Sequence, residues 1–346
     1  MNNFNHTNIR EAAKRLLDNQ TILITGGTGS FGSEFVSRVL SLSNTVRLII
    51  YSRDEMKQWE MSNVYKACKR VEFIIGDVRD RAALALALDG VNLVVHAAAT
   101  KIIPTAEYNP VECIKTNING AINIIDACRN SNVRKVVALS TDKACNPVNL
   151  YGATKLASDK LFIASTRPKG KDYPIFSIVR YGNVMGSRGS IIPYFLSMRN
   201  STEVPITDIR MTRFMITLEH AVNMVLLAFK EMKGGEIFVP KIPSIKVVEI
   251  AKALAPKADF KIVGIRPGEK LHEEMISSDD SRATYEYDDH YRIFPTIFDI
   301  YNDSNRTEPG RLVPEGFSYI SNKNNDWMTA SNLLKLVESG SINSVK

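Results

Sequence analysis

The chain has 346 residues, 44% hydrophobic and 23% charged, enough apolar material for a large core and, at this length, two lobes. Its 44 basic residues outnumber 37 acidic ones for a net charge of +7, but they are scattered without a long run, which argues against a nucleic-acid surface and suits small anionic ligands. No stretch approaches the roughly 20 apolar residues of a bilayer span, residues 1–20 lack the apolar centre of a signal peptide, the four cysteines form no C-x-x-C, and the five histidines show no ligand spacing, so a cytoplasmic, reduced, metal-free protein away from membranes is expected.

In chain order, Asn8–Asp18 reads as an amphipathic helix that packs on the core or on another subunit, and residues 1–19 are an N-terminal extension. Apolar runs and helical spacing then alternate. Thr21–Thr25, Arg47–Tyr51, Val71–Ile75, Val91–Val95, Lys135–Leu139 and Phe176–Arg180 read as strands, and Phe31–Leu42 and Val111–Asn130 as helices. The strands lack polar alternation, as expected when helices cover both faces of a parallel sheet. After Gly182 glycines and prolines break this rhythm. Leu218–Lys230 and Glu236–Val239 read as one more helix and strand, Val247–Leu254 and Met328–Val337 as helices, and Ser277–Asn325 as irregular. The expected fold class is α/β: a Rossmann-type doubly wound parallel sheet over residues 20–182, with 216–240 returning to it, and a smaller α/β substrate-binding lobe from 183–215 and 241–346.

The segment Thr25-Gly-Gly-Thr-Gly-Ser-Phe-Gly32 ends the first strand and opens the first long helix. Glycines at 26, 29 and 32 let the backbone turn tightly and approach a pyrophosphate at the helix N-terminus, so Gly26, Thr28, Gly29, Ser30, Phe31 and Gly32 are candidate dinucleotide contacts. G-x-G-x-x-G alone is weak; its place in the first strand-to-helix turn of an α/β repeat separates it from a merely structural turn. Ser52, Arg53 and Asp54 follow the second strand. A basic residue there favours the 2′-phosphate of NADP and an acidic one the ribose hydroxyl of NAD, so Ser52 and Arg53 point to NADP while Asp54 keeps NAD as the alternative. Asp77 and Val78 follow the third strand, where adenine would lie, and the small Ala97, Ala98 and Ala99 follow the fourth.

Ser140-Thr-Asp-Lys143 ends the fifth strand, and Tyr151-Gly-Ala-Thr-Lys155 begins eight residues later on a helical stretch. Tyr and Lys at i, i+4 share a helix face. An ammonium beside a phenol lowers the phenol's pKa and makes it a usable base, and Thr141 can hydrogen-bond the same substrate oxygen. Tyr-x-x-x-Lys arises often by chance; here it follows a Thr-bearing strand and a dinucleotide loop.

With these residues in place the chain resembles the extended short-chain dehydrogenase/reductase family. The resemblance rests on the glycine loop, Asp77, Ala97–Ala99, Asn117, Thr141 and the Tyr151/Lys155 pair. Asp142-Lys143 narrows it to the UDP-N-acetylglucosamine 4,6-dehydratases, and to their 5-inverting branch, which opens pseudaminic acid biosynthesis. That branch's look is carried by Tyr51–Glu55, Ile75–Asp80, Ala106–Pro110, Ala138–Ala144, Asn149–Lys155, Arg180–Val184, Asp208–Phe214 and Ile265–His272, all within residues 20–275. The 5-retaining group carries N-terminal transmembrane helices, and a capsule-synthesis relative has Met where this chain has Tyr151. One departure stands out: Ile102 occupies a position where relatives often carry His.

The resemblance implies that Tyr151 is the acid/base, that Lys155 also binds the nicotinamide ribose, and that Lys57, Lys101, Thr116 and Val184 join the cofactor contacts. For a UDP-N-acetylglucosamine substrate it implies that Tyr151 removes the C4 hydroxyl proton as hydride leaves for NADP, Lys143 removes the C5 proton as a neutral amine with lowered pKa, and Asp142, with raised pKa, protonates the departing C6 hydroxyl. Asn183, Arg188 and Arg266 are candidates for the sugar and diphosphate, and Lys101, Thr141, Thr207 and Arg213 for further substrate contacts; a structural hydrogen bond is the competing reading for the arginines, Asn183 and Thr207. For Asp142 and Lys143 the competing reading is an ion pair that fixes the loop. A homo-oligomer is expected, since relatives often form hexamers. The competing functions are a UDP-hexose 4-epimerase, whose product has unchanged mass, and a catalytically silent NADP-binding regulator, which the intact Thr141, Tyr151 and Lys155 disfavour.

Overall fold

The computed structural model describes residues 6–166, 173–297, 303–339 and 342. Residues 1–5 of the expected extension, and 298–302, 340, 341 and 343–346 of the expected lobe, lie outside the described residues. The first half runs α1 His6–Leu17, β1 Thr21–Thr25, α2 Ser30–Leu42, β2 Arg47–Ser52, α3 Glu55–Val64, β3 Val71–Ile75, α4 Arg81–Ala87, β4 Leu93–His96, α5 Ile103–Tyr108, α6 Pro110–Ile114, a π-helical turn Lys115–Asn119, α7 Gly120–Arg129, β5 Lys135–Thr141, a 3-10 turn Asp142–Ala144, α8 Leu150–Ser165 and β6 Ile175–Tyr181. The second runs β7 Asn183–Val184, α9 Ile191–Ser197, β8 Glu203–Ile206, β9 Thr212–Ile216, α10 Leu218–Glu231, β10 Ile237–Pro240, β11 Ser244–Lys246, α11 Val247–Leu254, β12 Asp259–Ile262, β13 Glu274–Ile276, a 3-10 turn Ser278–Ala283, β14 Thr284–Glu286, β15 His290–Ile293, α12 Ser304–Thr307, β16 Arg311–Leu312, β17 Tyr319–Ile320 and α13 Ala330–Glu338.

The large sheet has the order β16-β14-β15-β10-β6-β5-β4-β1-β2-β3. β3 to β10 are parallel, and the order 3-2-1-4-5-6 places a topological switch between β1 and β4, where a crevice opens beyond the strand ends. Ile22–Ile24 of β1, Leu48–Tyr51 of β2 and Leu93–Val95 of β4 are buried, which explains their unbroken apolar runs. α1 buries Leu17 and packs on α2 and α10 of its own chain, which decides where the N-terminal helix sits. A second, smaller core gathers Ile192, Phe195, Val204, Ile206, Ile250, Leu254 and Leu333 around α9, β8, α11 and α13.

Two expectations need correcting. Residues 277–325 are not irregular: β14, β15 and β16 extend the large sheet antiparallel beyond β10, so this part of the expected lobe is continuous with the sheet. These strands have two to four residues, and His290–Ile293 is buried throughout, so no alternation marks them. The stretch 111–130 is helical as expected, but not uniformly α. It is α6 and α7 joined by the π turn, preceded by the unread α5. Within the π turn lies Asn117, whose amide donates to the Thr100 carbonyl (3.0 Å) and to Thr154 Oγ1 (3.0 Å), while its Oδ1 accepts from the Thr100 N–H (2.8 Å). Tying one helical side chain to two neighbouring segments favours the wider turn.

Candidate active site

A cleft of about 1160 Å³ runs from the sheet's switch point into the smaller lobe. Its floor is the glycine loop. Gly26 has φ +67°, and a Cβ there would lie 2.9 Å from the Ala98 backbone, so the loop needs glycine both for its conformation and for its approach to the end of β4. Gly29 caps α2 without a side-chain hydrogen bond, leaving first-turn N–H groups at the cleft wall for an anion. Thr28 Oγ1 and Ser52 Oγ meet at 2.9 Å and join the loop to the end of β2.

Just beyond, Asp54 is already occupied. Its carboxylate caps α3 by accepting from the Lys57 N–H (3.0 Å) and pairs with the Lys57 ammonium, and these hydrogen bonds hold its pKa below the ordinary value. Arg53 is 62% exposed, with only a 3.9 Å approach to Asp77. Asp77 is held below its usual pKa by Arg79, which donates to it from Nε, Nη2 and its backbone N–H against the opposing effect of burial. Arg188 donates from Nη2 to the Thr28 carbonyl (3.3 Å), and its N–H bonds Ser30 Oγ (3.2 Å). That places Arg188 against the glycine loop, close enough to Asp54 to lower its pKa.

At the other end, β5 delivers Thr141 to the cleft. Thr141 caps the 3-10 turn by accepting from the Lys143 N–H (3.3 Å), and its hydroxyl donates to Asp142 Oδ1 (2.9 Å). Lys143 Nζ lies 3.0 Å from Asp142 Oδ1 and 3.4 Å from Glu273 Oε1, and Arg213 Nε lies 3.7 Å from that same Glu273 oxygen. Asp142 and Glu273 are almost wholly buried, and each keeps one oxygen without a hydrogen-bond partner among the described residues. Burial pushes the Asp142 carboxyl up, only partly offset by Lys143. Burial acts the same way on Glu273, but Lys143, Arg213 and Lys270 overcome it and hold that carboxyl down.

Two electrostatic expectations fail. Burial would lower the Lys143 pKa, but the carboxylates of Asp142 and Glu273 outweigh it and raise it, so the amine is held as a cation rather than poised neutral. The Tyr151 phenol is pushed up to about 12 by burial, and the cation drawing it back is Lys143. Lys155, 3% exposed and one helical turn along α8, is itself lowered by burial. Lys155 is not among the charges that act on the Tyr151 phenol, contrary to what the i, i+4 spacing suggested.

The other predicted residues fall on this same cleft. Gly32, Phe31, Lys57, Val78, Ala97, Ala98 and Thr116 line its dinucleotide end; Lys101, Tyr151, Lys155, Asn183, Val184, Thr207, Arg213 and Arg266 line the rest. Asp142 does not reach the wall and lies behind Lys143. Lys101 donates to the Arg188 carbonyl (3.2 Å), and Arg266 is 60% exposed. Ile102 lines the cleft at the position relatives often fill with His. Glu273 went unread, although it directly follows the Ile265–His272 motif and is the first acidic residue of Glu273-Glu274. Among the described residues no cluster of His, Cys, Asp or Glu could hold a metal, and no helix is long and apolar enough to cross a membrane.

The family model described as "Polysaccharide biosynthesis protein" matches residues 22–295. The chain is 54% identical over 330 residues to a UDP-N-acetylglucosamine 4,6-dehydratase (inverting) of Campylobacter jejuni, covering 93% of this chain and 98% of that one. It is 43% identical over 282 residues to a UDP-glucose 4-epimerase of Rickettsia canadensis, covering 79% and 82%. Among solved structures it superimposes on Pen from Bacillus thuringiensis with a TM-score of 0.85 at 32% identity, covering 94% of this chain and 99% of that one.

Proposed function

The chain belongs to the polysaccharide biosynthesis protein family, among the extended short-chain dehydrogenases/reductases, and on that premise we propose that it is a UDP-N-acetylglucosamine 4,6-dehydratase that inverts C5. The observation that carries this reading is the buried Asp142–Lys143 pair beside Tyr151, which equips a hydride site with a second acid and base. The glycine cradle fits a nicotinamide dinucleotide, which when bound accepts a hydride from C4 of the sugar and returns it to C6. NADP suits the end of β2 better than NAD, because Asp54 is committed to α3 and Lys57 while Arg53 remains available for a 2′-phosphate.

Tyr151, in its ionised form, takes the C4 hydroxyl proton, with Thr141 bonding the same oxygen and Lys155 orienting the ribose. Once C4 is a ketone the C5 proton is acidic. Lys143 removes it once its own proton has passed to Asp142, 3.0 Å behind it, and the proton held by Asp142 goes to the C6 hydroxyl, which leaves as water. A proton delivered to the opposite face of C5 inverts that centre, and it balances the proton Tyr151 took from C4. Asn183, Arg266, Thr207 and Arg213 hold the UDP-sugar. Lys101 and Arg188 stand between the two ligands, with Arg188 on the cofactor side. The division into a cofactor domain and a substrate lobe is supported by the second core around α9, β8, α11 and α13, while residues 275–319 add to the core of the large sheet. The protein works in the cytoplasm as a homo-oligomer, and its product enters pseudaminic acid synthesis for surface glycosylation.

Incubation with UDP-N-acetylglucosamine in D2O tests this. The expected product has lost one water, carries deuterium at C5 and has the inverted C5 configuration by NMR. Lys143→Ala should abolish water loss while the dinucleotide stays bound. The epimerase reading, which the Rickettsia relative favours, predicts a product of unchanged mass. An unchanged mass, or water loss with C5 retained, overturns the proposal.

A further inference from the structure

Lys143 sits between two buried carboxylates, and only one of them has a place in the reaction proposed above. Asp142 lies next to it in sequence at 3.0 Å; Glu273 approaches to 3.4 Å, carried by the distant segment leading into β13. Glu273 is 3% exposed at its side chain, and its N–H is bonded to Ser321 Oγ (2.9 Å). It lines the cleft but makes no hydrogen bond to Tyr151 or the glycine loop among the described residues; of the groups in the proposed reaction, it pairs with Lys143.

We propose that Glu273 is a positioning residue that keeps a single proton shared within the Asp142–Lys143 pair. The inference rests on the dehydratase reading for its purpose, though not for its physical content. Elimination needs a neutral amine and a protonated carboxyl at the same moment. A pair holding one proton meets both needs, because transfer from Lys143 Nζ to Asp142 Oδ1 across 3.0 Å converts ammonium and carboxylate into amine and acid. After elimination Lys143 carries the C5 proton and Asp142 has given its own to the leaving water. The pair again holds one proton, and the same transfer resets it without exchange with solvent.

That cycle fails if the pair releases its proton. The charges facing Lys143 are Asp142 on its own turn, Glu273 before β13, Arg213 on β9, Lys101 after β4 and the phenol of Tyr151 on α8. Two of these are cations, so without Glu273 the balance around Lys143 turns against an ammonium: Arg213 and Lys101 would face Asp142 alone. Glu273 offsets Arg213, and Arg213 with Lys270 in turn keeps Glu273 ionised. The unpartnered second oxygens of Asp142 and Glu273 are consistent with this: neither carboxylate is saturated by other donors, so both act on the one ammonium.

Two readouts on wild type, Glu273→Gln, Glu273→Asp and Arg213→Gln test the idea. One is the pH profile of kcat for dehydration. The other is labelling of Lys143 by an amine-selective acylating reagent, read by peptide mass spectrometry with Lys155 as the internal control; it reports neutral amine and needs no turnover. In Glu273→Gln the alkaline loss of kcat should move to lower pH by about one unit or more, and Lys143 should label about tenfold faster at a given pH, since one pKa unit is a tenfold change in proton affinity. Glu273→Asp should stay near wild type, and Arg213→Gln should slow labelling of Lys143. A uniform fall of kcat at all pH values with unchanged Lys143 labelling overturns the proposal, as does faster labelling of Lys143 and Lys155 alike, which marks general loosening. If Glu273→Gln does not fold, unchanged labelling in Arg213→Gln decides against it. If wild type leaves UDP-N-acetylglucosamine intact, the function reading falls, and the labelling series still judges Glu273.

Discussion

Burial keeps His96 neutral, and Thr25 matches that state. Its hydroxyl oxygen accepts from the N–H groups of Ala97 and Ala98, both at 3.2 Å, so its proton is left to donate to His96 Nδ1 at 2.9 Å. An imidazole accepting at Nδ1 is neutral. Burial, reinforced by Lys155, lowers His96 from 6.5 to about 3. Because the folded-state pKa is depressed, this contribution to stability is fully present above pH 6.5 and is lost as pH falls toward 3, where the unfolded chain binds a proton that the folded one refuses. His96→Asn keeps an acceptor for Thr25 but does not titrate. Its melting temperature should therefore fall less steeply than that of wild type over this acidic range; parallel curves would discard the account. At the same scale, Asp142 and Lys143 were legible because they adjoin each other, whereas Glu273 stands 130 residues from Lys143 and declares itself only through a 3.4 Å approach.

The β1–α2 unit shows why the element matters more than its motif. A Cβ on Gly32 would lie 2.2 Å from the Gly27 carbonyl oxygen, a backbone atom that cannot swing aside. Ala in a helix interior is ordinarily favoured over Gly by about 1 kcal/mol. Here overlap should reverse the sign: Gly32→Ala is expected to destabilise by roughly 1–3 kcal/mol, the usual cost of overpacking, and to weaken dinucleotide binding by moving the loop. Chemical denaturation with a fluorescence titration of NADP checks both, and a stabilised variant with intact binding would refute the packing argument. The π turn at Lys115–Asn119 makes the complementary point: helical periodicity ran through it because an extra residue in one turn barely disturbs an apolar pattern, while Asn117 needed its three partners to be seen.

Across the whole molecule, one buried ion pair ties the sheet, α8 and β13 together. Arg180 on β6 reaches Asp159 on α8 at 3.3 Å and donates to the Met275 carbonyl of β13 at 3.0 Å, and Asp159 also accepts from Ser140 at 2.7 Å. Removing one partner leaves the other charge buried and unmatched, which typically costs about 3–5 kcal/mol. Asp159→Asn preserves shape but not charge, and its urea midpoint should fall accordingly; an unchanged midpoint would mean that Arg180 finds enough compensation elsewhere. The same pair fixes α8, and with it Tyr151 and Lys155, relative to the segment that brings Glu273 to Lys143.

The amino-acid sequence by itself determined the parallel strands, since buried apolar runs are local, and the glycine loop, since backbone conformation and helix-end chemistry are written in consecutive residues. It also determined the Thr141–Lys155 group, whose members share one strand end and one helix. Only the tertiary structure decided that Ser277–Asn325 contributes strands to the large sheet, because two- to four-residue strands carry no period of their own. It alone decided the charges. Spacing suggested that Lys155 would acidify Tyr151, and the family resemblance implied that Lys143 would be neutral, but a pKa depends on burial and on every charge within reach, and those come from distant segments.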